Sequence, residues 1–337
     1  MDAELLVEVL RGNVVESRHY GHVAVADRHG RLTHFVGDPE RRIYLRSSAK
    51  PFQTMAVVMS GAADRFGMTS ADLAIATASH TAESVHLQQV AHLLQLVGKG
   101  VADLQCGPHP PSDPEANEEL RRRGEAPTAL HNNCSGKHAA MLGVAQVLGS
   151  DTSRYLDPEA PGQRLVRAIV AEMCGVAEAE IAVGIDGCSA PVFGVPLRAM
   201  AVGYARLADP ASLRPELRDA AARVRAAMLE HPYLIAGRRR VGVDIMRAGG
   251  GNLVAKTGAE AVFGVGDIAR GVGLAIKLED GQSRGVAPAL VESLRQAGMI
   301  DEGQARELAA WQGGPQHNFA GREVGRVAAR FHLKSAV

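Results

Sequence analysis

Between Gly249 and Leu278 the chain carries short apolar runs punctuated by glycine. Gly249-Gly250-Gly251 leads into Asn252-Leu253-Val254-Ala255-Lys256-Thr257-Gly258, followed by Ala261 to Val265 and Val272 to Leu278. Runs of this length and spacing read as consecutive antiparallel strands. A further hairpin, Gly21 to Ala26 and Arg31 to Val36 around Asp27-Arg28-His29-Gly30, is expected at the edge of an antiparallel sheet. Residues 5–17 read as an extended start, with Val7, Val9 and Val14-Val15 favouring strand. Helical spacing recurs from Pro51 to Val58, from Glu83 to Val97 closed by Gly98, over 115–124, from Ala139 to Leu148, over 162–175 and over 214–230. A helical tail is expected around Val286 to Gln296 and Glu302 to Trp311. The fold class is therefore α/β, a mainly antiparallel sheet flanked by helices.

Charge narrows the partners. Among 337 residues, 37 basic and 37 acidic side chains cancel, so no net field draws the chain to nucleic acid or an anionic membrane, and a small molecule is the expected partner. The start, Met1-Asp2-Ala3-Glu4, lacks a basic segment before an apolar run, and no stretch reaches the ~20 apolar residues of a membrane span. A soluble, cytoplasmic protein is expected. Cys106, Cys134, Cys174 and Cys188 are too scattered for a disulfide framework, which leaves reduced thiols or metal ligands. Gly264-Val265-Gly266-Asp267-Ile268-Ala269 formally matches a dinucleotide fingerprint, but it falls inside a hairpin rather than between strand and helix.

Five short polar stretches carry candidate chemistry. In Arg46-Ser47-Ser48-Ala49-Lys50-Pro51 a serine precedes a lysine by three residues, a spacing that puts both on one face of a helical turn. Ser47 is a candidate nucleophile and Lys50 its base, provided the lysine pKa is lowered by burial or a neighbouring cation. The bland alternative is a serine cap beside a solvated lysine. Pro51 biases Lys50 away from helical dihedrals, so the turn is expected to be irregular. Ser79-His80-Thr81 ends an apolar run, where its simplest role is to cap the next helix. His131-Asn132-Asn133-Cys134-Ser135-Gly136-Lys137-His138 opens a helix and suits an anion or a polarised carbonyl. It lacks the spacing of a phosphate loop, and Cys134 fits a small core residue as well as a zinc ligand. Asp186-Gly187-Cys188 brings a carboxylate and a thiol to a strand end, or simply makes a turn. Lys256-Thr257-Gly258 matches the third signature of active-serine penicillin-binding proteins and β-lactamases, whose first is Ser-x-x-Lys. His22, His29 and His34 make no metal spacing and read as polar-face or turn residues.

Taken together, and in this order, these five motifs resemble the rhizobial-type L-asparaginase family over nearly the whole chain. The resemblance implies a serine-β-lactamase-like fold, one asparaginase unit over residues 1–337 or two subdomains with the catalytic site between them, and a homodimer. It implies hydrolysis of L-asparagine to L-aspartate and ammonia. It assigns Ser47 with Lys50 and Ser79 with Lys256 as two Ser-Lys tandems, and Cys134, Lys137 and Cys188 to a zinc site. Two lysines close together depress each other's pKa, so one can serve as a neutral base in an acyl-serine pathway. Asparagine carries an ammonium and a carboxylate, for which Arg46, Asp186 and His138 are the substrate-binding candidates. Two other readings share these residues: a penicillin-interacting acyl-serine enzyme, and a non-catalytic zinc- or phosphate-binding module built on Cys134 to His138.

Overall fold

The computed structural model describes residues 2–336. Its contacts divide the chain into two compact units. One comprises Met1–Ser48, Val195–Asp209 and Asp244–Val337, the other Ala49–Gly194 and Pro210–Val243.

The first unit is built on an antiparallel sheet with strands in the order Gly314–His317, Glu323–Ala329, Glu4–Arg11, Val14–Asp27, Val272–Leu278, Val262–Asp267 and Leu253–Gly258. The last three form the expected antiparallel run, with Lys256 opposite Gly264 and Thr257 opposite Phe263. The first hairpin also forms, Val23 facing Val36 and Val25 facing His34. It is not at the edge, however. Val14–Asp27 is a 14-residue strand that pairs with Glu4–Arg11 along its first half and with Val272–Leu278 along its second. Its last six residues before Asp27 are all buried, so a strand read as one wall of a hairpin is a central element. His22 is buried within it, 2% exposed, with Nε2 2.9 Å from Glu279, and so is not a polar-face residue.

The C-terminus departs further from expectation. After the helices Ser283–Gln296 and Glu302–Glu307 the chain adds the strands Gly314–His317 and Glu323–Ala329, which extend the sheet beyond Glu4–Arg11. Along Glu323–Ala329 only Gly325 is fully buried, so no apolar alternation announces the strand.

The helix Leu197–Ala208 lies directly on this sheet, because glycine leaves room for it. A Cβ at Gly264 would sit 2.1 Å from the Tyr204 ring, and one at Gly273 would sit 2.1 Å from the Ala201 carbonyl. Tyr204 is wholly buried, and its hydroxyl donates to the Ser48 carbonyl at 2.7 Å. Sheet, helix and the turn after Leu45 are thereby tied together.

The second unit is a helical cluster. Lys50–Met59, Ser70–Thr77, Ser135–Val147, Pro161–Cys174 and Pro215–Glu230 pack on one another through Phe52, Met55, Leu73, Ile75, Leu142, Val170, Leu217 and Val224, all buried. Few aromatics are available, and aliphatic side chains fill the space between helices as the composition requires. Ala182–Ile185 forms an antiparallel pair with Pro191–Pro196 beside it in the chain. Among the described residues no helix is long and apolar enough to cross a membrane.

Candidate active site

In the first unit the Arg46–Ala49 segment begins as a 3-10 turn, the irregularity that Pro51 implies. Arg46 is held at φ +50°, a left-handed conformation that costs an L-residue roughly 1–2 kcal/mol. Two contacts hold the turn against that cost. Ser48 N–H donates to Leu45 O at 3.1 Å, and its hydroxyl donates to the same carbonyl. The end of the Leu253–Gly258 strand packs against it so closely that a Cβ at Gly258 would meet Leu45 O at 2.8 Å and Ser48 N at 3.3 Å. Ser47 and the Lys256-Thr257-Gly258 strand end are thus neighbours in one unit. Lys256 is 1% exposed and donates to Thr257 O at 3.0 Å. Ser47 and Arg46 are half-buried.

In the second unit Lys50 is the first residue of the helix Lys50–Met59, and 1% exposed. Its Nζ lies 2.5 Å from Ala78 O, 3.3 Å from Asn133 O and 3.0 Å from Ser79 Oγ. Burial lowers its pKa and the Lys137 cation lowers it further, against an opposing pull from Cys134. A neutral lysine has two N–H groups and one lone pair. The two carbonyls can only accept from the amine, whereas the Ser79 hydroxyl can accept from an ammonium or donate to a neutral amine.

Ser79 is not a helix cap. It follows the helix Ser70–Thr77 after the extended Ala78, with its N–H bound to Ile235 O at 2.9 Å, while the residue that precedes the next helix, Ser84–Leu96, is Glu83. Thr81 is not its cap either, and spends its hydroxyl on Glu83 at 2.7 Å. His80 is buried and accepts the Ala82 N–H at Nδ1, so Nε2 carries the proton and donates to Ser135 Oγ at 2.9 Å. Burial and the neighbouring His86 and Lys50 keep its pKa well below the usual histidine range, in agreement with that neutral tautomer.

The helix Ser135–Val147 starts earlier than its apolar pattern suggests, and its first turn contains Lys137 and His138. Gly136 permits this: a Cβ there would lie 2.2 Å from Ile75 O. Asn132 shapes the approach by accepting the Cys134 N–H at 2.9 Å and donating to Cys106 O at 2.8 Å. Lys137 Nζ lies 3.1 Å from Cys188 Sγ, and Cys134 and Cys188 hydrogen-bond through their thiols. All three are at most 5% exposed. The hydrogen bond from Cys188 and the neighbouring Lys50 and Lys137 side chains hold Cys134 well below the ordinary thiol range. The same hydrogen bond and burial push Cys188 up. Lys137 loses by burial but gains more from the two sulfurs, and its pKa is raised. Cys134, Cys188 and Lys137 therefore form one buried, electrostatically coupled cluster.

Asp186 sits in the turn between Ile185 and Pro191, half-buried, with one carboxylate oxygen accepting the Gly187 N–H at 2.7 Å. Its charge reaches Lys137. His138 is differently placed. It is 0% exposed, and its Nδ1 lies 2.7 Å from the Tyr155 hydroxyl, which accepts from Gln105 N–H. It is held as a buried partner of Tyr155 rather than presented to solvent.

Sequence reasoning missed Asp113, Tyr233 and Arg238 and gave no separate role to Glu83, which closes the Ser79-His80-Thr81-Ala82-Glu83 motif; the four gather around the far end of the Ser79 loop. Arg238 Nε binds Glu83 Oε2 at 3.0 Å and Asp113 Oδ2 at 3.3 Å, and its backbone N–H donates to Glu83 Oε1 at 3.1 Å. The one local signal is Gly237, at φ +97°, just before an arginine run.

No curated protein matches the chain. Among solved structures it is similar to Mglu in its native form, with 17% identity and a TM-score of 0.42 over 82% of this chain and 61% of that one. A β-lactamase from Mycobacterium bovis is 14% identical with a TM-score of 0.45, covering 83% and 95% of the two chains. A Bacillus glutaminase is 13% identical with a TM-score of 0.37, covering 83% and 91%. The chain spans about three fifths of the length of the Mglu chains it matches, 61% and 59% in two of them. The profile of the L-asparaginase II family matches residues 7–329. With that match running from the first strand to the last long one, the chain belongs to the L-asparaginase II family.

Proposed function

We propose that the protein is an amidohydrolase that converts L-asparagine to L-aspartate and ammonia through an acyl-serine intermediate. The observation that carries the chemistry is the buried Lys50 amine, lowered in pKa and within 3.0 Å of the Ser79 hydroxyl, in a chain of the L-asparaginase II family. Ser47 is the nucleophile. Its oxygen adds to the side-chain amide carbon as its proton passes to the neutral Lys50 amine. Collapse of the tetrahedral adduct breaks the C–N bond, and the proton held by Lys50 is relayed through Ser79 and Lys256 to the departing nitrogen, which leaves as ammonia while Lys50 returns to its neutral form. Water then repeats the sequence on the acyl ester, releasing aspartate and restoring the Ser47 hydroxyl. Arg46 serves the substrate carboxylate and Asp186 its ammonium.

The buried pair of sulfurs and the amine suit a zinc ion. The described residues hold no cluster of three histidine, cysteine or carboxylate ligands, so any metal here draws on Lys137 as well as Cys134 and Cys188. Cys134 already favours the thiolate that metal binding needs. Zinc in that position supplies a fixed positive charge that orients the substrate. Homodimeric assembly and a cytoplasmic location complete the proposal and rest on the family resemblance.

Ammonia release from L-asparagine tests this reading. The wild-type chain releases it, and Ser47→Ala, with its fold intact by circular dichroism, does not. Ammonia release undiminished in Ser47→Ala would overturn the assignment of the nucleophile. A labelled β-lactam retained covalently by a chain inactive on asparagine would replace the reaction altogether.

A further inference from the structure

The loop from Ala78 to Glu83 carries Ser79, yet it is irregular backbone, and Ala82 within it is held at φ +62°. A loop in such a conformation persists only where its surroundings over-determine it. Those surroundings are unusually explicit. At one end the Ser79 N–H is tied to Ile235 O, 2.9 Å away. At the other end Glu83, 6% exposed, accepts four hydrogen bonds: from Thr81 Oγ1 at 2.7 Å, from Tyr233 OH at 2.5 Å, from Arg238 N–H at 3.1 Å and from Arg238 Nε at 3.0 Å. Between the two ends Asp113 N–H donates to Thr81 O at 3.2 Å, while its carboxylate joins Arg238. Ile235 and Arg238 belong to one short stretch, so the same segment grips the loop twice.

Glu83 stands at the start of the helix Ser84–Leu96 but makes no capping hydrogen bond with its side chain. A cap is the ordinary use of an acidic residue at that position. Here the carboxylate turns away from the helix to Arg238. Gly237 makes the approach possible, since a Cβ there would lie 2.1 Å from Thr81 Oγ1 and 2.5 Å from Glu83 Oε1. Arg238 in turn gathers Glu83, Asp113 and Glu115. The guanidinium is 38% exposed on the rim of a cavity of about 430 Å³ lined by Ala82, Glu83, Asp113 and Tyr233.

We infer that Glu83 and Arg238 are positioning residues, a charged clamp that fixes the Ala78–Glu83 loop and thereby holds the Ser79 hydroxyl at the Lys50 amine. The inference rests on the proposed role of Ser79. The clamp touches no reacting atom. It acts on the rate because a displacement of about 1 Å in a proton-transfer partner costs on the order of 10²-fold.

The test pairs steady-state kinetics on L-asparagine with hydrogen exchange of a peptide spanning residues 78–84, for Arg238→Met, Arg238→Lys and Glu83→Gln in the full chain. The expected result is a fall in kcat of about 10-fold or more in Arg238→Met with KM within about 2-fold, and faster exchange confined to residues 78–84. Arg238→Lys restores part of the rate, because the charge returns without the fork that serves Glu83 and Asp113 together. Arg238 is partly exposed, so Arg238→Met folds even where Glu83→Gln does not. Unchanged exchange in an active Arg238→Met variant overturns the clamp. Faster exchange with an unchanged kcat overturns its positioning role, as does a rate loss that Arg238→Lys does not relieve at all. A wild-type chain that releases no ammonia overturns the proposed reaction instead, and that result is read before any variant.

Discussion

Lys50 Nζ lies 3.0 Å from Ser79 Oγ, and the two residues come from separate helices' ends 29 positions apart. The contact joins the first serine-lysine motif to the second. Counting donors explains why it is useful. The Ala78 and Asn133 carbonyls occupy two N–H bonds of the amine, and the remaining position faces a hydroxyl. In the proposed reaction a neutral amine in that cage takes the Ser47 proton, and the ammonium passes it on through Ser79. Lysine does this only where burial has lowered its pKa, and Lys50 is 1% exposed.

Lys50→Arg is therefore expected to be as inactive as Lys50→Met. Arginine retains the charge and the donors but does not deprotonate in a protein. Both variants lose about 10²–10⁴-fold in kcat, the usual contribution of a general base. Ammonia release under saturating asparagine measures this. An active Lys50→Arg variant would show that charge, not proton transfer, is what the site needs from this residue.

Why some of this is legible in the sequence and some is not follows from range. The strands around Lys256 and the irregular turn at Ser47 are local matters of alternation, glycine and proline, and they are where the pattern puts them. The Glu83–Arg238 contact spans 155 positions, and an arginine run beside a glycine carries no mark of what it will meet. Ser79 and Thr81 read as caps because a helix does follow them, but the geometry of that loop depends on Ile235 and Arg238. Gly21 to Ala26 reads as part of an edge hairpin because its second neighbour, Val272–Leu278, lies about 250 positions away in the chain. His138 is a substrate candidate by its position within the motif, and in the structure it is buried with Nδ1 beside the Tyr155 hydroxyl.

The proposed zinc site predicts a split between binding and turnover. Cys188→Ser keeps a hydrogen-bonding group near Lys137 but removes a soft ligand, so metal measured by elemental analysis after dialysis falls from about one equivalent to near zero. KM for asparagine rises more than kcat falls, since the serine nucleophile remains. Full activity with unchanged KM after complete metal removal would count against any role for zinc.

Acid should loosen the second unit through Glu83. Burial raises the carboxyl pKa, but hydrogen bonds from Tyr233, Thr81 and Arg238 outweigh it and bring it from 4.5 down to about 2. The folded state thus binds its proton less readily than the unfolded chain. The resulting stabilisation, up to about 3 kcal/mol, is complete above pH 4.5 and is lost as the pH falls toward 2. Urea unfolding of wild type and Glu83→Gln across that window checks it: the difference between them is largest near neutrality and shrinks on acidification. A difference independent of pH would mean that packing rather than charge separates the two.

In the first unit, Tyr204 links the sheet to the Ser47 turn, and two substitutions separate its functions. Tyr204→Phe keeps the ring against Gly264 and removes only the 2.7 Å hydrogen bond to Ser48 O. Leaving that buried carbonyl without its hydroxyl partner costs about 1–3 kcal/mol and relaxes the turn that holds Arg46 in a left-handed conformation. Gly264→Ala does the opposite, driving a methyl into the ring at 2.1 Å and costing about 1–3 kcal/mol through overpacking, or more where the helix Leu197–Ala208 must move. Urea midpoints report both losses. Activity distinguishes them, because at equal fractions folded Tyr204→Phe lowers kcat by loosening the segment that carries Ser47, whereas a loss that follows the unfolded fraction alone would make Tyr204 a packing residue and nothing more.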